Sequence, residues 1–178
     1  MSDPMLMEIQ KFADHIILEN SGANFRPEDT HFRYPDSSVV DIVNELARLT
    51  HAPVKKVLDD FGRFIAAEMA RRARTGQVPG NSRTLAVLEH VGAEMESAVP
   101  SSAYAPFPPQ FQGRRTSVDE VMVAIERGRH WCAILKGFVD EMARRYGERV
   151  MLTETGCLNH GDEACHLFVT TADAKNAA

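Results

Sequence analysis

Between Pro100 and Gln112 the chain changes character, and that break limits what it can fold into. Four prolines, Pro100, Pro106, Pro108 and Pro109, interleave there with Tyr104, Phe107 and Phe111. Proline lacks an amide N–H and pushes the preceding residue out of the helical region, so the stretch is an extended crossing. Upstream, apolar residues recur at helical spacing; downstream, much of the pattern alternates at the strand period. The predicted organisation is a single domain over 1–178, with a helical half at 1–99, the crossing at 100–112, a sheet-bearing half at 113–171 and a frayed tail at 172–178. A chain of 178 residues that is 44% hydrophobic can bury one sizeable core. The fold class is α+β: helices first, then a small antiparallel sheet packed with a long helix.

The helical half yields four helices. Ile9, Phe12, Ile16 and Ile17 mark the first, from Glu8 to about Glu19. Asp36 and Ser37 are placed to cap a second, with Val40, Val43, Leu46, Ala47 and Leu49 facing inward. Pro53 suits the first turn of a third, where its missing N–H costs nothing, and Val54, Val57, Leu58, Phe61 and Ile65 continue the stripe to about Arg74. Leu85, Leu88, Val91 and Met95 mark a fourth, ending before Pro100. In the second half, Val121, Val123 and Ile125 alternate as a strand. A fifth helix, from about Arg129 to Tyr146, buries Ile134, Leu135, Phe138, Val139 and Met142. Arg149 to Thr155 and His166 to Thr171 are strands joined through the turn at Asn159 to Asp162.

A net charge of −5 speaks against nucleic acid as a partner, because phosphate binding needs a concentrated basic surface. No apolar run is long enough for a membrane span, and Met1 to Phe12 lacks the layout of a signal peptide, so the protein is expected to be cytoplasmic. The acids and histidines are scattered, with no Ser-His-Asp arrangement or phosphate-cradling glycine loop, and no enzymatic activity is expected.

The sharpest chemical signal is the cysteine set. Cys157-Leu-Asn-His160 and Cys165 lie near the C-terminus, and Cys132 sits on the fifth helix. In a reducing compartment three cysteines point to metal or redox chemistry rather than structural disulfides. Cys132, Cys157, His160 and Cys165 form the predicted ligand set for zinc, as in a closed tetrahedral site. The N-terminus of the fifth helix is expected to favour the Cys132 thiolate. His130 and His166 are competing ligands, an iron–sulfur cluster is a lesser alternative, and buried core cysteines without metal are the bland one.

Several stretches carry a family resemblance. They are Tyr34 to Val43 (Tyr-Pro-Asp-Ser-Ser-Val-Val-Asp-Ile-Val), Val57 to Phe64, Leu88 to Pro100, Gly137 to Gly147, and the closing Gly-Asp-x-x-Cys-x-x-Phe-Val from Gly161 to Val169. Together they resemble the haem nitric oxide/oxygen binding (H-NOX) domain, and the closing motif also resembles vinyl-reductase-type ligand-binding domains. The resemblance implies a haem between the two halves, a proximal histidine and a Tyr-x-Ser-x-Arg motif for the propionates. It also implies zinc near the C-terminus, since some members hold it there through cysteines and a histidine. Two departures stand out. Gly92 occupies the ligand position, with His90 two residues upstream, and the nearest counterpart of the propionate motif is Val123-x-Ile125-x-Arg127. If haem binds, His90 and Arg127 are its candidate contacts.

The sequence thus points to an H-NOX-like sensory or regulatory domain with a Cys3His zinc site. Thiol redox is the expected stimulus, and the expected output is contact with a separate signalling protein such as a kinase or cyclic-dinucleotide enzyme. The alternatives are a haem-based nitric oxide or oxygen sensor with a displaced ligand, and a small-molecule binding module using the apolar cleft.

Overall fold

The computed structural model describes residues 11–16, 39–72, 84–98, 111–126 and 131–171. The helices are α1 (11–16), α2 (Val39–Thr50), α3 (Val54–Arg72), α4 (Thr84–Ala98) and α5 (Trp131–Tyr146). The strands are β1 (Phe111–Ser117), β2 (Glu120–Ile125), β3 (Val150–Gly156) and β4 (Cys165–Thr171). They form one antiparallel sheet in the order β1-β2-β4-β3. The small antiparallel sheet and long helix anticipated from the sequence are present. The cap at Asp36 and Ser37, Tyr34, Arg127 and the tail from residue 172 lie outside the described residues.

Alternation builds the sheet's inner face. Val121, Val123 and Ile125 of β2, with Cys165, Leu167 and Val169 of β4, are fully buried, because successive strand side chains point to opposite faces. Against this face pack Leu85, Leu88 and Val91 of α4, and Leu135, Phe138, Val139 and Met142 of α5, in one continuous apolar cluster. Full burial of each large side chain contributes about 1.5–3 kcal/mol. A second cluster joins Phe12, Ile42, Val43, Leu46, Val57, Leu58 and Phe61 to Ala133 and Ile134 of α5. Ile42 belongs to this core, whereas Leu49, expected inside, is 43% exposed in the last turn of α2.

α3 and α5 bring the halves together by direct backbone contact. A methyl group at Gly62 would overlap the Ile134 carbonyl, and one at Gly137 would overlap the Asp59 carbonyl. The two glycines therefore let the helices approach more closely than any side chain permits. Arg63 spans the crossing, donating to Asp59 at 3.0 Å and to Asp140 at 2.7 Å. The N-terminus of α4 is fixed by the Thr84 amide donating to the Glu148 carboxylate at 3.0 Å, and Arg115 of β1 forms a two-pronged pair with Glu89 at 2.8 Å.

β1 was not anticipated as a strand, and it begins at Phe111, inside the stretch read as the proline-rich crossing. Its sequence, Phe-Gln-Gly-Arg-Arg-Thr-Ser, is polar, and most of its residues are exposed. An edge strand of this kind carries little of the apolar alternation on which a sequence reading depends. Among the described residues, no helix is long and apolar enough to cross a membrane.

Candidate metal centre

The first turn of α5 and the loop between β3 and β4 meet at one corner of the sheet. Register brings Cys165 opposite Ile125, which in turn faces Phe111. Trp131, at the start of α5, closes on Phe111 edge to face at 5.7 Å. Cys132 follows immediately, so the apolar seating of Trp131 delivers its neighbour to the corner.

Cys157 ends the segment after β3 and opens a 3-10 turn, Leu158–His160. The His160 and Asp162 amides both donate to the Cys157 carbonyl, at 2.8 and 3.3 Å, and the Cys157 amide donates to Asp162 Oδ2 at 2.7 Å. Gly161 closes the turn at φ 98, in the left-handed region where a β-carbon is strained. This compact reversal returns the chain so that Cys165 comes back beside Cys157.

All three cysteines are buried and free. Cys157 Sγ lies 3.8 Å from Cys132 Sγ and 3.8 Å from Cys165 Sγ. A disulfide requires about 2.05 Å. Zinc–sulfur bonds of about 2.3 Å at tetrahedral angles, in contrast, put neighbouring sulfurs about 3.8 Å apart. Two N–H groups also point at sulfur. The Leu158 amide donates to Cys165 Sγ at 3.2 Å and Asn159 Nδ2 to Cys132 Sγ at 3.4 Å, contacts that favour the thiolate form.

A carboxylate completes the group. The ligand atoms of Cys132, Glu154, Cys157 and Cys165 all lie within 4.8 Å of one another. Three of the four sequence-derived ligands are therefore together, while His160 is exposed on the 3-10 turn and outside this mutually close set. His166 pairs with Ala124 and Gly156, and strand alternation turns it to the face opposite Cys165. His130 and Arg127 lie outside the described residues. Sequence reasoning missed Glu154, although its position was a usable signal: it is an acid on the half-buried side of β3, three residues before a cysteine.

The electrostatics of the corner differ from the expectation for Cys132. Burial, and next the charges of Cys165 and Cys157, push its thiol up to about 12. The α5 N-terminus is thus outweighed: three thiols crowded in a dry corner cannot all ionise without a cation among them. Burial also raises the Cys165 thiol, against the opposing pull of the Leu158 amide. For Glu154, burial acts upward, but Lys136, then Cys157 and the charge of His160, hold the carboxyl below its usual range. Deprotonated sulfurs thus call for a divalent cation, and the donor set fits zinc.

The other site suggested by the sequence looks different. α4 turns Leu85, Leu88 and Val91 into the core, while His90 is exposed and its Nδ1 lies 2.9 Å from the Ala86 carbonyl oxygen. The backbone at Gly113 abuts the Leu88 carbonyl, so β1 presses directly on α4. Val123 and Ile125, the counterparts of the propionate motif, are wholly buried apolar residues. Among the described residues, α4 directs no imidazole into the interior, and those residues supply no axial ligand that fits a haem.

The Haem-NO-binding family model matches residues 10–154, a span that ends before Cys157 and Cys165. An H-NOX protein from S. oneidensis, solved in the Fe(II)NO ligation state, is similar at TM-score 0.68 and 15% identity, covering 96% of this chain and 99% of that one. A point mutant of T. tengcongensis H-NOX gives TM-score 0.68 and 13% identity, covering 97% and 98%. An oxygen-binding H-NOX domain related to soluble guanylate cyclases, in its oxygen complex, gives 0.67 and 11%, covering 95% and 92%. No curated protein matches the chain in sequence.

Proposed function

The chain belongs to the Haem-NO-binding (H-NOX) family, and we propose that within it this protein is a sensory or regulatory domain whose working cofactor is zinc held by Cys132, Cys157 and Cys165. The fold is that of haem-based gas sensors. One observation carries the reading: buried, free sulfurs spaced 3.8 Å about Cys157, the edge length of a zinc–thiolate tetrahedron. Zinc would supply charge neutralisation for the thiolates and a cross-link between α5 and the β3–β4 loop.

Cys157 is the residue through which such a site becomes responsive. Its sulfur is equally near Cys132 and Cys165, so a peroxide can join it to either one. Two thiolates give two electrons to the peroxide, which takes up protons and leaves as water, and a disulfide forms. The ligand set then loses two members, and the loop is freed to change the surface it presents beside α5. The signal passes by contact to a separate protein, a kinase or cyclic-dinucleotide enzyme being the kind that the family resemblance implies.

The test is zinc content before and after oxidation. The protein as purified should hold about one equivalent of zinc, lose it on treatment with hydrogen peroxide, and regain it after reduction with added zinc. Zinc retained under peroxide, with all three thiols protected, would confine the metal to a structural role. Absence of zinc in the protein and no uptake on titration would overturn the site itself.

A further inference from the structure

We infer that the fourth zinc donor is the Glu154 carboxylate, positioned by Lys136, and not the His160 imidazole; this rests on the zinc reading above. Glu154 belongs to the half-buried side of β3 together with Val150, Leu152 and Gly156, while Met151, Thr153 and Thr155 are exposed. It pairs with Leu167 of β4, and the strand register then shifts before Gly156. The shift falls between Glu154 and Gly156, just before Cys157.

The two oxygens of Glu154 have different surroundings. Oε2 accepts from Lys136 Nζ at 2.6 Å. Oε1 is buried and receives no hydrogen bond of normal geometry. An ionised oxygen left without a full partner in a dry corner is costly, and one carboxylate oxygen of Glu154 lies within 4.8 Å of all three sulfurs. A cation among those sulfurs gives Oε1 a charged partner. His160, exposed on its turn, has no such deficit.

Lys136 makes the choice of carboxylate workable. It lies one helical turn after Cys132, so both residues project from the same side of α5. Three thiolates and a carboxylate on a divalent ion carry one more formal negative charge than three thiolates and a neutral imidazole. The Lys136 ammonium, bound to the other carboxylate oxygen and half-buried with it, removes that difference. Lys136 is therefore a positioning residue: it fixes which oxygen faces the metal and offsets the added charge.

X-ray absorption at the zinc edge of the intact, zinc-loaded protein tests the assignment directly. Three sulfur neighbours and one light oxygen neighbour, without the outer-shell scattering of an imidazole, are expected. Imidazole scattering would overturn the assignment while leaving the thiolate site in place; absence of sulfur neighbours would overturn both. Cobalt substitution supplies the second arm. Thiolate-to-cobalt charge transfer should persist in Glu154→Gln, Lys136→Met and His160→Ala. The ligand-field bands should shift in Glu154→Gln, with affinity weakened about ten- to a hundredfold; Lys136→Met should weaken it about tenfold, and Glu154→Asp should restore the wild-type bands in part. A shift of those bands in His160→Ala, or none in Glu154→Gln, would refute the role given to Glu154.

Discussion

α4 and the β3–β4 corner are packed against the same sheet, yet they meet the interior with opposite chemistry. α4 contributes Leu85, Leu88 and Val91 and turns His90 outward. The corner contributes three sulfurs and a carboxylate oxygen. Apolar packing on α4 is complete in itself, whereas the buried thiols and the carboxylate of the corner form a group that could hold a metal ion. The H-NOX fold is thus kept with an α4 that turns its histidine outward, and the group able to hold a metal lies at a different place.

The largest effect expected from breaking this contrast is at the corner. If zinc is present well above its dissociation constant, its removal by a chelator should lower stability by about 4 kcal/mol, and Cys157→Ser should reproduce that loss because Cys157 neighbours both other sulfurs. Urea unfolding with and without chelator measures it; equal midpoints would show that the corner is ordinary core. His90→Ala should leave both midpoints unchanged.

Next comes the crossing on which both regions depend. Gly137→Ala and Gly62→Ala each force a methyl group into a backbone carbonyl, and each should cost about 3 kcal/mol through overpacking. Both zinc affinity and overall stability should fall, since α5 carries Cys132. A variant that unfolds earlier but binds zinc as tightly as wild type would mean that the corner is independent of the crossing.

The smallest effect is electrostatic. Arg144 holds the Glu141 carboxyl below its usual range against burial, with help from Arg145. Glu141 donates no proton to either pair: Arg144 and Arg145 donate to its carboxylate at 2.6 to 2.7 Å. With a depressed folded-state pKa, the unfolded chain binds the proton more readily. The stabilisation is therefore complete above the usual carboxylate range and is lost as pH falls through the folded-state value. Glu141→Gln should cost under about 1 kcal/mol at neutral pH, and less in acid. Unfolding at both pH values checks it, and because Glu141 lies more than two helical turns beyond Cys132 on α5, zinc binding should not change.

Much of this fold was legible in the chain. Pro53 lies just before α3, and the buried faces of β2 and α5 follow their spacing, because an apolar stripe pays off only on the side that meets the core. β1 was not legible, since an exposed edge strand needs no apolar face. At the corner, cysteines announce themselves by rarity, so Cys132, Cys157 and Cys165 were found. Glu154 is one of many acids, and only its placement on the inner side of β3 beside the sulfurs distinguishes it. The Cys132 thiol shows the same limit. A helix terminus can be read from sequence, but the crowding of two further thiols around it is a product of the fold.

Whether zinc at the thiol corner takes the place of haem beside α4 is decided on protein purified from cells supplied with a haem precursor, by metal analysis together with its absorption spectrum. About one equivalent of zinc and no Soret band are expected. A Soret band with no zinc would contradict the zinc reading.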